Sequence, residues 1–306
     1  MTRLLLVLSL CACGGGGGSG DDDAPAEPDA AAEEVCQAPP GPTYLLTSLG
    51  IASADEGFDL DGDEVVDNAF GTLPFLTRAA VNDAYQDSLD AGEWMVGTLQ
   101  DEWTDPPTAD DPDTGFHILT LVDADQPNDV SNDRTGGSFY ISPLFLDLDC
   151  QSTSRTAGSI EDGLFTGQRD LLDFPLNTGT GSLEMVDMHV EAQYSEDFTT
   201  ISGQVGSYVT MCALSAVPLP LPGSEGGSIL DYVANDEEIA QAIDGDLDGD
   251  GLEYVVGDGV GVLHCVDGDG TIIEGADCPC YPEIADAFSS TLRFDLLRVP
   301  TLGLQQ

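Results

Sequence analysis

Alternating apolar and polar positions recur along most of this chain. The alternation is most regular within residues 183–194, where two sets of side chains interleave: Val186, Met188, Val190, Ala192 and Tyr194 against Asp187, His189, Glu191 and Gln193. A period of two is typical of a sheet with one face in solvent. Similar runs predict strands at residues 43–51, 93–99, 116–122, 138–142, 144–150, 159–165, 171–176 and 291–299. Gly, Asn, Asp and Thr separate these predicted strands, and this pattern predicts an antiparallel sandwich or meander.

Two segments have the spacing of helices instead. Residues 78–89 carry apolar side chains at helical intervals, and Gly92 is expected to end that helix. Ser228-Ile229-Leu230-Asp231 forms a capping box for a second helix that runs to about residue 243. Residues 259–274 predict a hairpin that turns at Asp267-Gly268-Asp269-Gly270. The expected fold is therefore mainly β, with two or three short helices flanking two acidic loops.

The first acidic loop spans residues 59–68 and has the ligand spacing of a calcium site. Side-chain oxygens would come from Asp59, Asp61, Asp63 and Asp67, and a backbone carbonyl from Val65. Calcium takes six to eight oxygen ligands, and these residues would supply part of that set. Two positions depart from the EF-hand pattern: Glu64 replaces the usual Gly, and Phe70 stands where a bidentate Glu would close the site.

A second acidic loop lies near the carboxyl end of the chain. Asp246, Asp248 and Asp250 precede Gly251, but Tyr254 occupies the ninth position, so Glu253 or a water molecule would complete the coordination. A register that begins at Asp244 is also compatible with the spacing. The Asp267 and Asp269 segment has Thr271 where a third acid is needed, which favours a hairpin turn there.

The amino terminus carries an export signal. Residues 1–12 combine Arg3, an apolar run and small residues before Cys13. Leu10-Cys11-Ala12-Cys13 resembles a bacterial lipobox, in which Cys13 would be lipidated; an ordinary cleaved signal is the alternative. Residues 13–42, rich in Gly, Asp, Ala and Pro, predict a disordered tether, and residues 43–306 a single β-rich domain.

The remaining cysteines support export. Lipidation of Cys13 leaves an even number for disulfides: Cys36, Cys150, Cys212, Cys265, Cys278 and Cys280. Lipidation of Cys11 instead would leave an odd number. A thiolate metal site built from Cys278, Cys280 and Cys265 is the alternative, but an oxidising compartment favours disulfides.

The charge of the chain restricts its partners. It has 57 acidic residues and 7 basic ones, all arginine, for a net charge of −50. Nucleic acid and anionic lipid would be repelled, so the expected partners are cations and a cationic or carbohydrate surface ligand. Contact with a membrane is expected through the lipid anchor only.

These features together resemble two known groups of proteins. The first loop is similar to type 3 thrombospondin-like and dockerin-like calcium repeats, whose signature is DxDxDGxxDN. The lipobox, the glycine tether and an acidic loop near each end of the domain resemble uncharacterised acidic calcium-motif lipoproteins of Gram-negative bacteria. Gly14, where an Asp would retain the protein at the inner membrane, implies an outer-membrane lipoprotein that faces the periplasm or the cell surface.

The functional prediction follows from the expected membrane anchor and from the expected calcium ion. We expect a surface-anchored, calcium-binding lipoprotein that acts as a binding or structural module. A secreted hydrolase that uses paired carboxylates, in the manner of a glycosidase, and holds calcium structurally is the alternative. His117, His189 and His264 have no zinc-site spacing, and no nucleophile elbow or phosphate-binding loop occurs. Whether the protein is an enzyme is left open, with a non-enzymatic role favoured.

Overall fold

The computed structural model divides the chain into two units, residues 1–35 and Cys36–Gln306. It describes residues 36–92, 94–103, 110–124, 137–147, 149–177, 181–216, 243–247, 254–256, 263–266, 271–273, 280 and 286–305. The predicted signal, Cys13 and the helix predicted from residue 228 lie outside these ranges. Across the described part of the chain, no helix combines the length and hydropathy needed to cross a membrane.

Fourteen strands and two α-helices are numbered here in chain order. The strands are β1 Thr43–Ile51, β2 Val96–Asp101, β3 Asp111–Asp123, β4 Phe139–Ile141, β5 Arg155–Glu161, β6 Leu164–Asn177, β7 Gly181–Tyr194, β8 Thr200–Thr210, β9 Gly245–Asp246, β10 Tyr254–Val256, β11 Leu263–Val266, β12 Ile272–Ile273, β13 Asp286–Val299 and β14 Thr301–Leu304. The helices are α1 Phe75–Asp90 and α2 Met211–Ala216, with 3-10 helices at Ala69–Thr72 and Pro143–Phe145.

Eight antiparallel strands close into a barrel in the order β3-β2-β1-β13-β8-β7-β6-β5. The barrel closes because β3 pairs with β2 along one edge and with β5 along the other, where Phe116 lies opposite Thr156. Strand β13 inserts between β1 and β8, so the two ends of the domain lie side by side. Strands β4, β9 and β14 extend this sheet, and β10–β12 form a separate small sheet.

The predicted sandwich or meander is therefore wrong. Alternation shows that a strand has one buried face. The same alternation is found whether that face lines a sandwich or a barrel. The pairing of β3 with β5 decides between them, and no local pattern carries that information.

Most predicted strands are present, with three local differences. Residues 144–150 do not form a strand, because Pro143 begins a 3-10 helix whose N-cap is Ser142. Residues 159–165 span the β5–β6 hairpin and not one strand, because Asp162 (φ 51°) and Gly163 (φ 77°) form its turn with the positive φ that a tight hairpin requires. In β7, an irregularity near Asp187 (φ 50°) moves Val186 to the outer face and places Met185 in the core.

The barrel is filled by its own side chains. Phe116 and Phe165 stack inside it with ring centroids 5.3 Å apart, and the Tyr194 hydroxyl donates to Gln100 Oε1. The void between the apolar side chains measures only about 30 Å³, roughly the space of one water molecule. An eight-stranded barrel of this kind has a packed interior, so the candidate sites described below lie outside it.

A second apolar cluster covers the outer face of β1, β2 and β3. Leu45, Leu99 and Leu119 point outward from the barrel and pack beneath Phe139 and Phe145. The Cys36–Cys150 disulfide joins the start of the domain to the segment after Phe145. The outer wall is therefore buried here, and polar residues of β2 and β3 are enclosed with it.

Candidate metal centre

The first acidic loop is a closed turn on the outside of the barrel. It begins at Phe58 and ends at Asp67, whose backbone N–H donates to the Phe58 carbonyl over 2.7 Å. Asn68 and the 3-10 helix Ala69–Thr72 follow directly. The loop therefore leaves and re-enters the domain at almost one point, which gives its acidic side chains a fixed base.

Three of the predicted ligands converge in this loop. Asp59, Asp61 and Asp67 each present a carboxylate oxygen within 4.8 Å of the others. Asp59 and Asp61 are exposed and Asp67 is half-buried. Asp63 belongs to the same loop, and its Oδ1 accepts the N–H of Val65 over 2.8 Å. This arrangement has room for a cation among three carboxylates.

Backbone N–H groups of the loop turn inward toward Asp59. Its Oδ1 accepts from Gly62 and Asp63 over 2.7 and 3.0 Å, and its Oδ2 accepts from Glu64 over 2.9 Å. Glu64 has φ of 71°, in the left-handed region where the sequence pattern expects glycine. The sharp turn of this acidic loop is thus made by a residue with a Cβ, at a cost of about 1 kcal/mol in local strain.

Asn68 attaches the end of the loop to the barrel. Its side-chain amide donates to the carbonyls of Ser53 and Glu56, and its Oδ1 accepts the N–H groups of Gly71 and Thr291. The side chain is only 4% exposed. The repeat signature includes this Asn, but only the tertiary structure assigns it this anchoring role.

Apolar contacts also hold the loop against the barrel wall. Leu60 packs with Tyr208 and Ala287, and Phe58 and Val186 border this small cluster. Gly206 allows the approach, because a Cβ at that position would overlap the ring of Phe58. The loop is therefore docked at its two ends, and residues 61–66 between them are exposed.

Acidic residues from distant parts of the chain surround Tyr208. Burial raises the pKa of the Tyr208 hydroxyl, and the charges of Asp67, Asp244, Asp61 and Asp187 raise it further. Burial also raises the pKa of Asp244; hydrogen bonds from Ser289 oppose that rise, and the charge of Asp67 adds to it. The two acidic segments thus meet on one side of the barrel, and a cation bound there would relieve their repulsion.

The second acidic loop is described only in part. Asp246 is exposed on β9, which pairs with Asp286 and Ala287 of β13. Asp248, Asp250 and Glu253 lie outside the described residues, so this loop stays a prediction. Asp244, the start of its alternative register, instead accepts hydrogen bonds from the backbone and side chain of Ser289.

The disulfides agree in part with the cysteine pattern. Cys36 pairs with Cys150, and Cys212 pairs with Cys280. Cys265 is disulfide-bonded as well, and Cys278 lies outside the described residues. Because Cys280 is bonded to Cys212, it is not available as a thiolate ligand of a metal.

An open groove of about 760 Å³ runs along the outer wall beside α1. Polar side chains from α1, β7, β8 and β13 line it, among them Gln86, Glu191, Gln204, Arg293 and Asp295. Asp59, Asp61 and Asp67 do not line it. The convergent acids therefore lie in an exposed turn and not in this groove.

Comparison with protein-family models, curated proteins and solved structures found no match to this chain.

Proposed function

We propose that the protein is an exported, calcium-stabilised barrel that acts as a binding or structural module at the end of a lipid-anchored tether. The convergence of Asp59, Asp61 and Asp67 carries the ion assignment. Oxygen-only ligands in an irregular arrangement suit calcium better than magnesium, which demands a tight octahedron. Three carboxylates held this close repel one another until a cation neutralises them.

Export and anchoring are supported by independent features. Disulfides form and persist in oxidising compartments, and two of them join distant parts of the domain. The lipobox cysteine Cys13 would attach the domain to a membrane through the tether. The polar groove offers a surface for a ligand. The net charge of −50 would attract a cationic ligand and would not repel an uncharged one.

The alternative of a carboxylate-based hydrolase is less well supported. Such an enzyme needs two carboxylates facing each other across a substrate cleft. The three acids that the structure gathers lie in a surface turn, where they can surround an ion but enclose no substrate.

Calcium-dependent stability tests the proposal. With an extracellular-type Kd of about 10⁻⁴–10⁻³ M, calcium at ten times Kd should stabilise the fold by about 1.4 kcal/mol. For a domain of this size the melting temperature should rise by roughly 3–6 °C. Magnesium at equal ionic strength controls for screening of the acidic surface.

Asp61→Asn is the informative variant, because it removes one charge but keeps the oxygen that accepts the Asp63 N–H. It should lose most of the calcium-specific rise in melting temperature. Glu196→Ala, which removes an exposed charge from the turn after β7, should keep that rise. If calcium and magnesium raised the melting temperature equally, and Asp61→Asn changed neither rise, calcium binding by this loop would be refuted.

A further inference from the structure

A buried histidine on the outer wall joins an aspartate to a serine. His117 Nε2 lies 2.8 Å from Asp101 Oδ2, and His117 Nδ1 lies 2.7 Å from Ser152 Oγ. The His117 side chain is 1% exposed, beneath the ring of Phe145. Ser152 is partly exposed. The three side chains form a continuous relay of short polar contacts that runs from a buried carboxylate to a partly exposed serine.

The partners determine the direction of the relay. A carboxylate can only accept, and a neutral imidazole donates from one nitrogen and accepts at the other. We therefore assign the ring proton to Nε2, which lies 2.8 Å from the Asp101 carboxylate, so that Nδ1 accepts the proton of the Ser152 hydroxyl. Burial alone would raise the pKa of Asp101, but hydrogen bonds and charges from His117 and Arg155 lower it to about 2, so the carboxylate is ionised at neutral pH.

Barrel closure brings these residues together. Asp101 ends β2 opposite Gly115 of β3, and its carboxylate occupies the space that a Cβ of residue 115 would need. His117 lies two residues further along β3, and Ser152 follows the Cys36–Cys150 disulfide just before β5. The relay therefore forms where β2, β3 and β5 meet.

We propose that Ser152 is a nucleophile activated by His117, with Asp101 as the positioning residue, and that the site hydrolyses small uncharged carboxylic esters. Ser152 Oγ attacks the carbonyl carbon while its proton passes to His117 Nδ1. The carbon–oxygen bond to the leaving group breaks, and His117 returns the proton to the departing alcohol. Water then attacks the acyl-serine through the same histidine, releases the carboxylic acid and restores the hydroxyl.

Local charge supports this chemistry and this substrate class. Arg155 Nε donates to Asp101 over 2.9 Å, and Arg169 Nη2 donates to the Thr153 carbonyl over 2.6 Å. Arg169 thus contacts the residue that follows Ser152, whereas Arg155 is paired with Asp101. In this proposal the Arg169 guanidinium would provide the positive charge nearest to the oxyanion of a tetrahedral intermediate at Ser152. The net charge of −50 repels anionic esters, and partial burial of Ser152 restricts access to small ones.

The same contacts also hold the Ser152 segment against β3, so the test must separate reactivity from stability. The full chain is incubated with an uncharged alkyl fluorophosphonate, which phosphonylates activated serines with loss of fluoride, and the adduct is mapped by mass spectrometry. The expected adduct is on Ser152 and is absent in Ser152→Ala. Ser159→Ala, which removes a half-buried serine from β5, should be labelled at the wild-type rate.

Two further variants address the relay. His117→Gln should slow labelling by about 10²-fold or more. Asp101→Asn would donate to Nε2 and force the proton onto Nδ1, so labelling should fall similarly, while Asp101→Glu should restore part of the rate. All rates are compared below the melting temperature of each variant, so that loss of fold is not counted as loss of reactivity.

Turnover is measured with p-nitrophenyl acetate, for which more than one equivalent of p-nitrophenol per protein is expected. Absence of an adduct on Ser152, or wild-type labelling of His117→Gln, would overturn the activated nucleophile. An adduct without turnover beyond one equivalent would overturn the assignment as a hydrolase.

Discussion

Asn68 offers a sharp test of how the acidic loop is attached to the barrel. All four hydrogen-bonding positions of its amide are used: two N–H groups donate over 2.9 Å each, and Oδ1 accepts twice over 3.1 Å each. One of those contacts reaches Thr291 in the centre of the sheet, on β13. Loop and barrel should therefore be coupled through this single side chain.

Asn68→Asp keeps the shape of the side chain, replaces its two N–H donors with an acceptor and adds a negative charge to the site. The carbonyls of Ser53 and Glu56 then face an acceptor, and each loses a partner in a site that is 4% exposed. Leaving a buried polar group unsatisfied costs about 1–3 kcal/mol, so the two together predict a loss of about 4 kcal/mol. The melting temperature should fall by roughly 8–16 °C.

Urea unfolding followed by tryptophan fluorescence measures the change. A lower midpoint with an unchanged slope would show that stability was lost without a change in the surface exposed on unfolding. Asn82→Asp is the matched control, because Asn82 is only partly buried and donates one long hydrogen bond of 3.4 Å to the Ile51 carbonyl. We expect that control to lose less than about 1.5 kcal/mol.

An Asn68→Asp protein within about 1 kcal/mol of the wild type, or no less stable than the Asn82 variant, would refute the reasoning. It would mean that the loop rests on the barrel through its apolar contacts and that the amide network contributes little.

Two further predictions concern acid stability and the anchor. Because the folded pKa of Asp101, about 2, lies below its unfolded value, its stabilisation is complete above about pH 4 and is lost as the pH falls toward 2, an effect of roughly 2 kcal/mol. Acid unfolding should show this loss in the wild type, and Asp101→Asn should lack it; an identical acid response would contradict the ion pair. The anchor is tested by labelling cells of a Gram-negative host with a radioactive fatty acid, where Cys13→Ser should abolish incorporation. Label that survives Cys13→Ser but disappears in Cys11→Ser would move the lipidation site.

The sequence alone determined the local structure in many places. Strand β1 has the predicted bounds, and in β13 Leu292, Phe294 and Leu296 are buried as the alternation predicts. Helix α1 was expected from apolar spacing, and Gly92 after it has φ of 69°. The ligand pattern of the acidic loop likewise predicted that Asp59, Asp61 and Asp67 would approach one another. All of these features depend on residues close in sequence, where side-chain chemistry and backbone geometry act directly.

Long-range pairing decided the rest. Closure of the barrel depends on β3 meeting β5, and the same closure places Asp101 and His117 beside Ser152. The role of Asn68 depends on Thr291, which is 223 residues away. The two-residue period shows which side of a strand is buried but not which strand lies next to it, because backbone N–H and C=O groups can pair with those of any other strand. The choice of neighbour is made by the collective packing of the whole domain, and only the tertiary structure records it.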